Sequence, residues 1–338
     1  MRHKLLGTTG LRVSEIGLGT LNFGETKDWG VAPETARQIL DGFAGAGGTL
    51  LDTAPNYAGG ASEQIIGDFL KGQRDDFVVS TKYTASTSGH ILAGGNSART
   101  MIRSLEESLG RLGTDYVDIF WLHYWDGTTP MAEIVKAFDA LVTAGKIRHF
   151  GFSDTPAWLV SRAVTMAELR GWSMPAAVQI EYSLAARDAE RELLPMADAL
   201  GLGAVGWGPL AAGALAGGAA PARRQPEALP ASLRTVAEAV SGIAAEAGLS
   251  PLAVALRWLL RGRVAHTLVP LVGARTPEQL ATILTAAEGD LDAEVLDALS
   301  AATAPKLGFP HDLIGSRYLR QLAVGRDAVL EAPPRPRA

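Results

Sequence analysis

A chain of 338 residues, 47% hydrophobic and 20% charged, can bury a large core and has the balance of an ordinary soluble globular protein. A net charge of −5 leaves no basic stripe for nucleic acid, no apolar run reaches membrane-spanning length, and MRHKLLGTTG lacks a signal-peptide core. With no cysteine, disulfides, thiolate metal sites and cysteine nucleophiles are excluded, and a cytoplasmic location is the expectation.

Short apolar β-type runs alternate with helix-period runs nearly from end to end. The first strand is expected at 15–20 (EIGLGT), followed by a helix at 33–46 that Pro33 and Glu34 would start. TLLDTA (49–54) precedes a helix at 61–71 with Ser62 and Glu63 at its start, and FVVSTKY (77–83) precedes one at 97–110. YVDIFWLH (116–123), HFGFSD (149–154) and AVQIEY (177–182) are followed by helices at 130–144, 155–170 and 189–200. GAVGWGP (203–209) leads to a helix at 233–247, and HTLVPLVG (266–273) to one at 277–287 begun by Pro277 and Glu278. Eight strands, each followed by a helix, give the count of a (β/α)8 TIM barrel in the α/β class, filling one domain over residues 1–325.

A doubly wound sheet is the rival fold. Gly201, Gly203 and Gly206 spell G-x-G-x-x-G, but the run enters a strand instead of leaving one for a helix, so a tight turn into the seventh strand is the better reading. Residues 211–231, rich in Ala, Gly and Pro, form a long loop of the kind that is functional or mobile, and 326–338 reads as a disordered tail. An extra helix near 293–302 and the segment 304–325 fall outside the eight units, where they could cover part of the open rim.

Active-site groups of such barrels sit at the C-terminal ends of the strands. Those ends carry Asp52, Lys82 and His123, with Tyr57 in the loop after Asp52. Strand alternation puts Leu50 with Asp52, Val78 and Ser80 with Lys82, and Val117, Ile119 and Trp121 with His123. A Lys and an Asp facing a closed interior must pair, and a simple satisfied ion pair is the plain reading of those two residues alone. All four groups at one rim suggest more. The Lys82 ammonium would lower the pKa of the Tyr57 phenol from about 10, Asp52 would hold Lys82, and His123 would orient a carbonyl. Without a nucleophile–base pair or metal-ligand spacing, the hydride for such a reduction has to come from a cofactor.

The segments LGTTGLRVSEIGLGTLNFG, LLDTAPNYAGGASEQIIG, STK, SLEESLGRLGTDYVDIFWLH, GKIRHFGFSD, VQIEYSL and GWGPLAAGAL, in this order, resemble the aldo-keto reductases over nearly the whole chain. The resemblance is to a bacterial member related to the potassium-channel β-subunit-like branch. It implies a (β/α)8 barrel closed at the bottom by an N-terminal β-hairpin, here at 3–15, with extra C-terminal helices. It also implies metal-free reduction of an aldehyde or ketone, a keto-sugar among them, with NADPH and with NADH as the alternative. The resemblance makes Asp52, Tyr57, Lys82 and His123 the catalytic tetrad, with Tyr57 as proton donor. It places Gly19, Thr20, Ser153, Asp154, Gln179, Trp207, Leu210, Gly213, Arg275 and Gln279 at the cofactor, Trp207 stacking on the nicotinamide ring.

Three departures stand out. Asp154 replaces a usual Asn, losing an amide donor and adding charge; Gly208 replaces a usual Ser; and Trp121 lies below His123 where relatives often carry Gln. After the eighth strand, Gly273 and Ala274 occupy the adenosine-phosphate positions, so Arg275 is the candidate for a 2′-phosphate. Phe23, Trp29, Tyr83 and Trp125 are expected at the pocket of a small-molecule carbonyl substrate. Relatives that keep barrel and cofactor but act as regulatory channel subunits provide the alternative to an enzyme; the sequence does not specify an oligomeric state.

Overall fold

The computed structural model describes residues 1–26, 28–86, 88–218, 230–262 and 267–324. Strands β1 (His3–Leu5) and β2 (Arg12–Ser14) form an antiparallel hairpin with Lys4 opposite Val13. Eight parallel strands then close a barrel: β3 (Gly17–Gly19), β4 (Leu50–Asp52), β5 (Val78–Tyr83), β6 (Val117–Leu122), β7 (Ile147–Ser153), β8 (Ala177–Glu181), β9 (Gly203–Trp207) and β10 (Leu268–Val272), which returns to β3. Helices α1 (Pro33–Gly45), α2 (Ala61–Leu70), α3 (Ala98–Leu112), α4 (Met131–Thr143), α5 (Ala157–Arg170) and α6 (Leu193–Ala199) follow the first six barrel strands. After β9 come α7 (Ala231–Glu246) and α8 (Pro251–Arg261), and after β10 come α9 (Pro277–Ala287), α10 (Ala293–Ala302), α11 (His311–Ile314) and α12 (Arg317–Val324).

Alternation divides each strand between two cores. Outward residues such as Val79, Phe120, Phe150 and Phe152 pack under the helices. Inward residues Leu50, Val78, Ile119, Trp121, Ala177, Val205, Val269 and Leu271 fill the barrel, joined by Leu6 and Val13 of the hairpin region. Burial of each such Leu or Val contributes about 1.5–3 kcal/mol, so the hairpin is a plug held by apolar contact. Close approach makes glycine necessary here: a Cβ on Gly7, whose φ is +60°, would lie 2.5 Å from the Gly203 nitrogen. The G-x-G spelling thus marks the seat of the plug at the start of β9.

The sequence reading anticipated one helix between β9 and β10, and the described residues form two. The expected helix corresponds to α7, which packs on α8 and α10, while α8 packs on β10 and supplies the barrel layer. Of the long loop expected at 211–231, residues 219–229 lie outside the described residues, as does the 326–338 tail. The helix expected at 293–302 is α10, and 304–325 contains α11 and α12. Its start lies against the loop after β8, where Arg191 donates to the Lys306 carbonyl at 3.2 Å and His311 meets Glu192 at 2.7 Å.

Candidate active site

Three neighbouring strands, β4, β5 and β6, build this part of the rim. Asp52 ends β4 opposite Ser80 of β5, and Lys82 lies opposite Trp121 of β6. The Lys82 ammonium donates to Asp52 Oδ2 at 2.5 Å and to the Thr53 carbonyl at 2.9 Å, both side chains being buried. The other carboxylate oxygen of Asp52 accepts from Ser80 at 2.6 Å and from the Gln179 amide at 2.9 Å. Every oxygen of a buried carboxylate therefore has a donor, which is what makes a buried ion pair tolerable. Ser80 shares the inward face of Lys82, a parity visible in the sequence whose role went unread.

Tyr57 follows β4 on a turn whose next three residues, Ala58, Gly59 and Gly60, have φ of 47°, 65° and 98°. A left-handed alanine costs roughly 1–2 kcal/mol, and local strain of this kind collects at functional sites. The Lys82 nitrogen lies 5.3 Å from the centre of the Tyr57 ring, and the Tyr57 and His123 rings meet edge to face at 6.3 Å. Burial pushes the Tyr57 phenol up, Lys82 pulls it down, and Asp52 and Asp154 push it up, with a net rise. Lys82 lowers it, as expected, but does not overcome burial; the net shift is upward, and Tyr57 keeps its proton. Burial pulls the Lys82 ammonium down, but Asp52 and Tyr57 together raise it, keeping it charged. His123 is driven down to about 3 by burial and by Lys82, so the imidazole is neutral, and its Nδ1 is buried without a hydrogen-bond partner. Below it Trp121 is fully buried, with a Cβ on Gly151 calculated to fall 2.3 Å from its ring; only glycine there leaves room for the indole under the site.

The residues expected at a cofactor fall along the same rim. Ser153 at the end of β7 pairs in register with Gln179 on β8, and Glu181 pairs with Trp207 at the end of β9. Asp154 accepts from the Trp207 indole nitrogen at 3.1 Å. Past β9, Leu210 leads into Ala211, Ala212 and Gly213, all with positive φ, and the Gly213 amide returns to the Leu210 carbonyl at 2.9 Å. After the adjacent strand β10, Arg275 and Gln279 are brought together, the Arg275 amide donating to the Gln279 side chain at 2.9 Å. Asn22 ties this turn to the loop after β3 through the Ala274 carbonyl at 2.6 Å. Gly19 ends β3 beside Asp52, and the Thr20 hydroxyl is engaged by the Asp52 carbonyl and Ser62, buried away from the rim. A half-exposed indole beside amide, hydroxyl and turn amides suits a flat ring with an anionic tail, so these residues fit a nicotinamide dinucleotide.

Two substrate expectations are corrected. Tyr83 has the opposite parity to Lys82 and points outward, fully buried and stacked on Phe120 at 5.4 Å. Phe23 is also fully buried in the outer core. Neither can touch a ligand in this arrangement. Trp29 is half-buried in the loop after β3. Trp125 is partly buried and meets Trp158, a residue that sequence reasoning missed, edge to face at 6.1 Å. Trp158 is 60% exposed and Tyr124 44%, so an aromatic shelf borders the loops after β6 and β7. Tyr124 and Trp125 lie in the loop after β6 and Trp158 in the first turn of α5, so their separation in the chain gave no local sequence signal.

The aldo/keto reductase family matches residues 15–304 of the chain. An aryl-alcohol dehydrogenase of Pestalotiopsis microspora is 33% identical over 93% of this chain and 85% of its own length. A norsolorinic acid reductase of Emericella nidulans is 32% identical over 91% and 83%, respectively. A norsolorinic acid reductase of Aspergillus flavus is 38% identical over 61% of this chain and 56% of its own. With a closed eight-stranded parallel barrel and a match running through the strands that carry Asp52, Lys82 and His123, this chain belongs to the aldo/keto reductase family.

Proposed function

We infer that the protein reduces an aldehyde or ketone to an alcohol at the mouth of the barrel. The observation that carries this reading is the buried Lys82–Asp52 pair set 5.3 Å from the Tyr57 ring with a neutral His123 beside it. Bound along Ser153, Gln179, Trp207 and the 210–213 turn, a reduced nicotinamide dinucleotide would supply the hydride. Tyr57, protonated because burial holds its phenol up, hands its proton to the carbonyl oxygen. The developing phenolate is stabilised by Lys82, which Asp52 keeps in place and charged. A neutral imidazole at His123 orients the carbonyl by hydrogen bonding without competing for the proton.

Arg275, beside Gln279, is the guanidinium we assign to a 2′-phosphate, which makes NADPH the preferred cofactor and NADH the lesser one. The exposed rings of Tyr124 and Trp158 next to Trp125, and the aryl-alcohol name of one relative, favour an aromatic carbonyl compound over a keto-sugar. Those relatives carry enzyme names, which favours turnover over the regulatory reading and over kinship with the channel-subunit branch.

The test is consumption of NADPH with a panel of aryl aldehydes, aryl ketones and keto-sugars, wild type against Tyr57→Phe. Removing a general acid of this kind lowers kcat by about 10²–10⁴-fold. Equal rates in the two proteins would remove Tyr57 from the chemistry; cofactor binding with no turnover of any carbonyl would restore the regulatory reading.

A further inference from the structure

Asp154 stands directly after β7 with a left-handed φ of 41°. Its amide donates to the Gln179 carbonyl at 3.2 Å, which pins this backbone to β8. From there the carboxylate reaches sideways to the Trp207 indole nitrogen at 3.1 Å, so one residue ties together the ends of β7, β8 and β9. The same carboxylate lies within the field of the tetrad: it pushes the Tyr57 phenol up, and Lys82 pulls the Asp154 carboxyl down against the larger effect of burial.

A second carboxylate stands beside it. Glu181 is in register with Trp207, and burial first, then Asp154 and Asp188, raise its carboxyl. Among the described residues neither Asp154 nor Glu181 is in an ion pair, and the nearby cation, Lys82, is already bonded to Asp52. Two like charges flanking one half-exposed indole leave the rim short of positive charge. An asparagine at 154 would give the same short side chain, would tolerate the left-handed backbone and would accept from the indole, so the carboxylate's distinctive contribution is its charge.

We propose that Asp154 is a positioning residue with two effects: it clasps the Trp207 indole at the ring that the nicotinamide would cover, and its charge makes the site favour the oxidised, cationic nicotinamide over the reduced, neutral one. The proposal rests on the cofactor reading given above. It adds that this rim is biased towards holding the oxidised dinucleotide, which makes the bound reduced form a stronger hydride donor and slows cofactor release after reduction.

The experiment is equilibrium binding of NADP+ and NADPH to wild type, Asp154→Asn, Asp154→Gly and Glu181→Gln, followed by calorimetry and by quenching of tryptophan fluorescence. Asp154→Asn keeps an acceptor for the indole and removes the charge. The preference for NADP+ relative to NADPH is expected to fall about tenfold, the size of one charge–charge contact in a partly wet site. Asp154→Gly keeps the left-handed backbone and removes both charge and clasp, so the preference falls equally and both affinities weaken. Glu181→Gln leaves the clasp intact and lowers the preference by a smaller factor. An Asp154→Asn protein that binds both nucleotides with the wild-type ratio overturns the charge bias while leaving the cofactor reading intact. A wild-type protein that binds neither nucleotide overturns both.

Discussion

Two adjacent residues of β5 lead into two different buried ion pairs. Thr81 points outward and donates to Glu63 Oε1 at 2.6 Å, while Arg111 donates to Glu63 Oε2 at 2.6 Å. Lys82 points inward and meets Asp52. Both carboxylates are buried and both have donors on each oxygen. What differs is the company. The outer carboxylate is sealed between α2, α3 and the strand, and its partner is an arginine, which holds its charge in any surroundings. The inner pair uses a lysine, whose charge depends on its neighbours, and it stands beside a phenol that keeps its proton and an imidazole with an unpartnered nitrogen. Satisfaction marks a brace; a charged pair placed beside titratable groups that are left poised marks a site.

The largest expected effect falls on the inner pair. Asp52→Ala removes the acceptor of Lys82, Ser80 and Gln179 together. An uncompensated buried ammonium costs about 3–5 kcal/mol, read as a lower urea midpoint with an unchanged slope. Adding Lys82→Met to Asp52→Ala should recover much of that loss by removing the stranded charge, while activity stays lost. A double variant no more stable than the single one would mean that the pair's attraction, not the stranded charge, dominates.

His123 separates the two regions by pH. Its folded pKa of about 3 lies below the ordinary 6.5, so between these values the unfolded chain binds a proton that the folded one does not. Stability therefore falls as pH is lowered from 6.5 towards 3, by on the order of 3 kcal/mol after allowing for the ring's partial exposure. His123→Gln, followed by thermal unfolding across that window, should flatten this part of the profile. An unchanged acid slope would place the sensitivity elsewhere. Asp126, held down to about 2 by its hydrogen bonds to Thr129, Thr128 and Asn96 despite burial, contributes in the same direction but only below the ordinary carboxyl range.

The inner site was legible because strand parity and an apolar background make a Lys or an Asp conspicuous, so Asp52, Lys82 and His123 could be placed by counting. The same count, applied consistently, would have turned Tyr83 outward; its ring was assigned to the pocket by chemical type, and parity prevailed. The helix expected at 61–71 is α2, which begins at Ala61, but Ser62 and Glu63 in its first turn do more than start it. Ser62 binds Thr20 and Thr53, and Glu63 braces β5. Contacts between residues 48 apart, as for Glu63 and Arg111, leave no local trace. Helix α8 was missed although its signals are present: Ser250 caps it through the Ala253 amide, Pro251 opens it, and Arg257 and Arg261 stand four residues apart among its apolar residues. Helix α7 lies half in solvent and was seen.

The smallest effect tests whether the two pairs are independent. Glu63→Gln keeps one carbonyl acceptor but turns an amide donor toward either Thr81 or Arg111, so one contact is lost. Arg111 is 22% exposed and can turn to water, which limits the cost to about 1–3 kcal/mol. If the outer pair is only a brace, kcat and KM at temperatures well below unfolding remain those of the wild type. One contact links the outer pair to the site: Arg111 packs beneath Gly60, three residues after Tyr57, so closely that a Cβ there would lie 2.8 Å from its side chain. A Glu63→Gln enzyme that folds normally but loses kcat would show Arg111 setting the Tyr57 turn through Gly60, and the outer brace would then be part of the site.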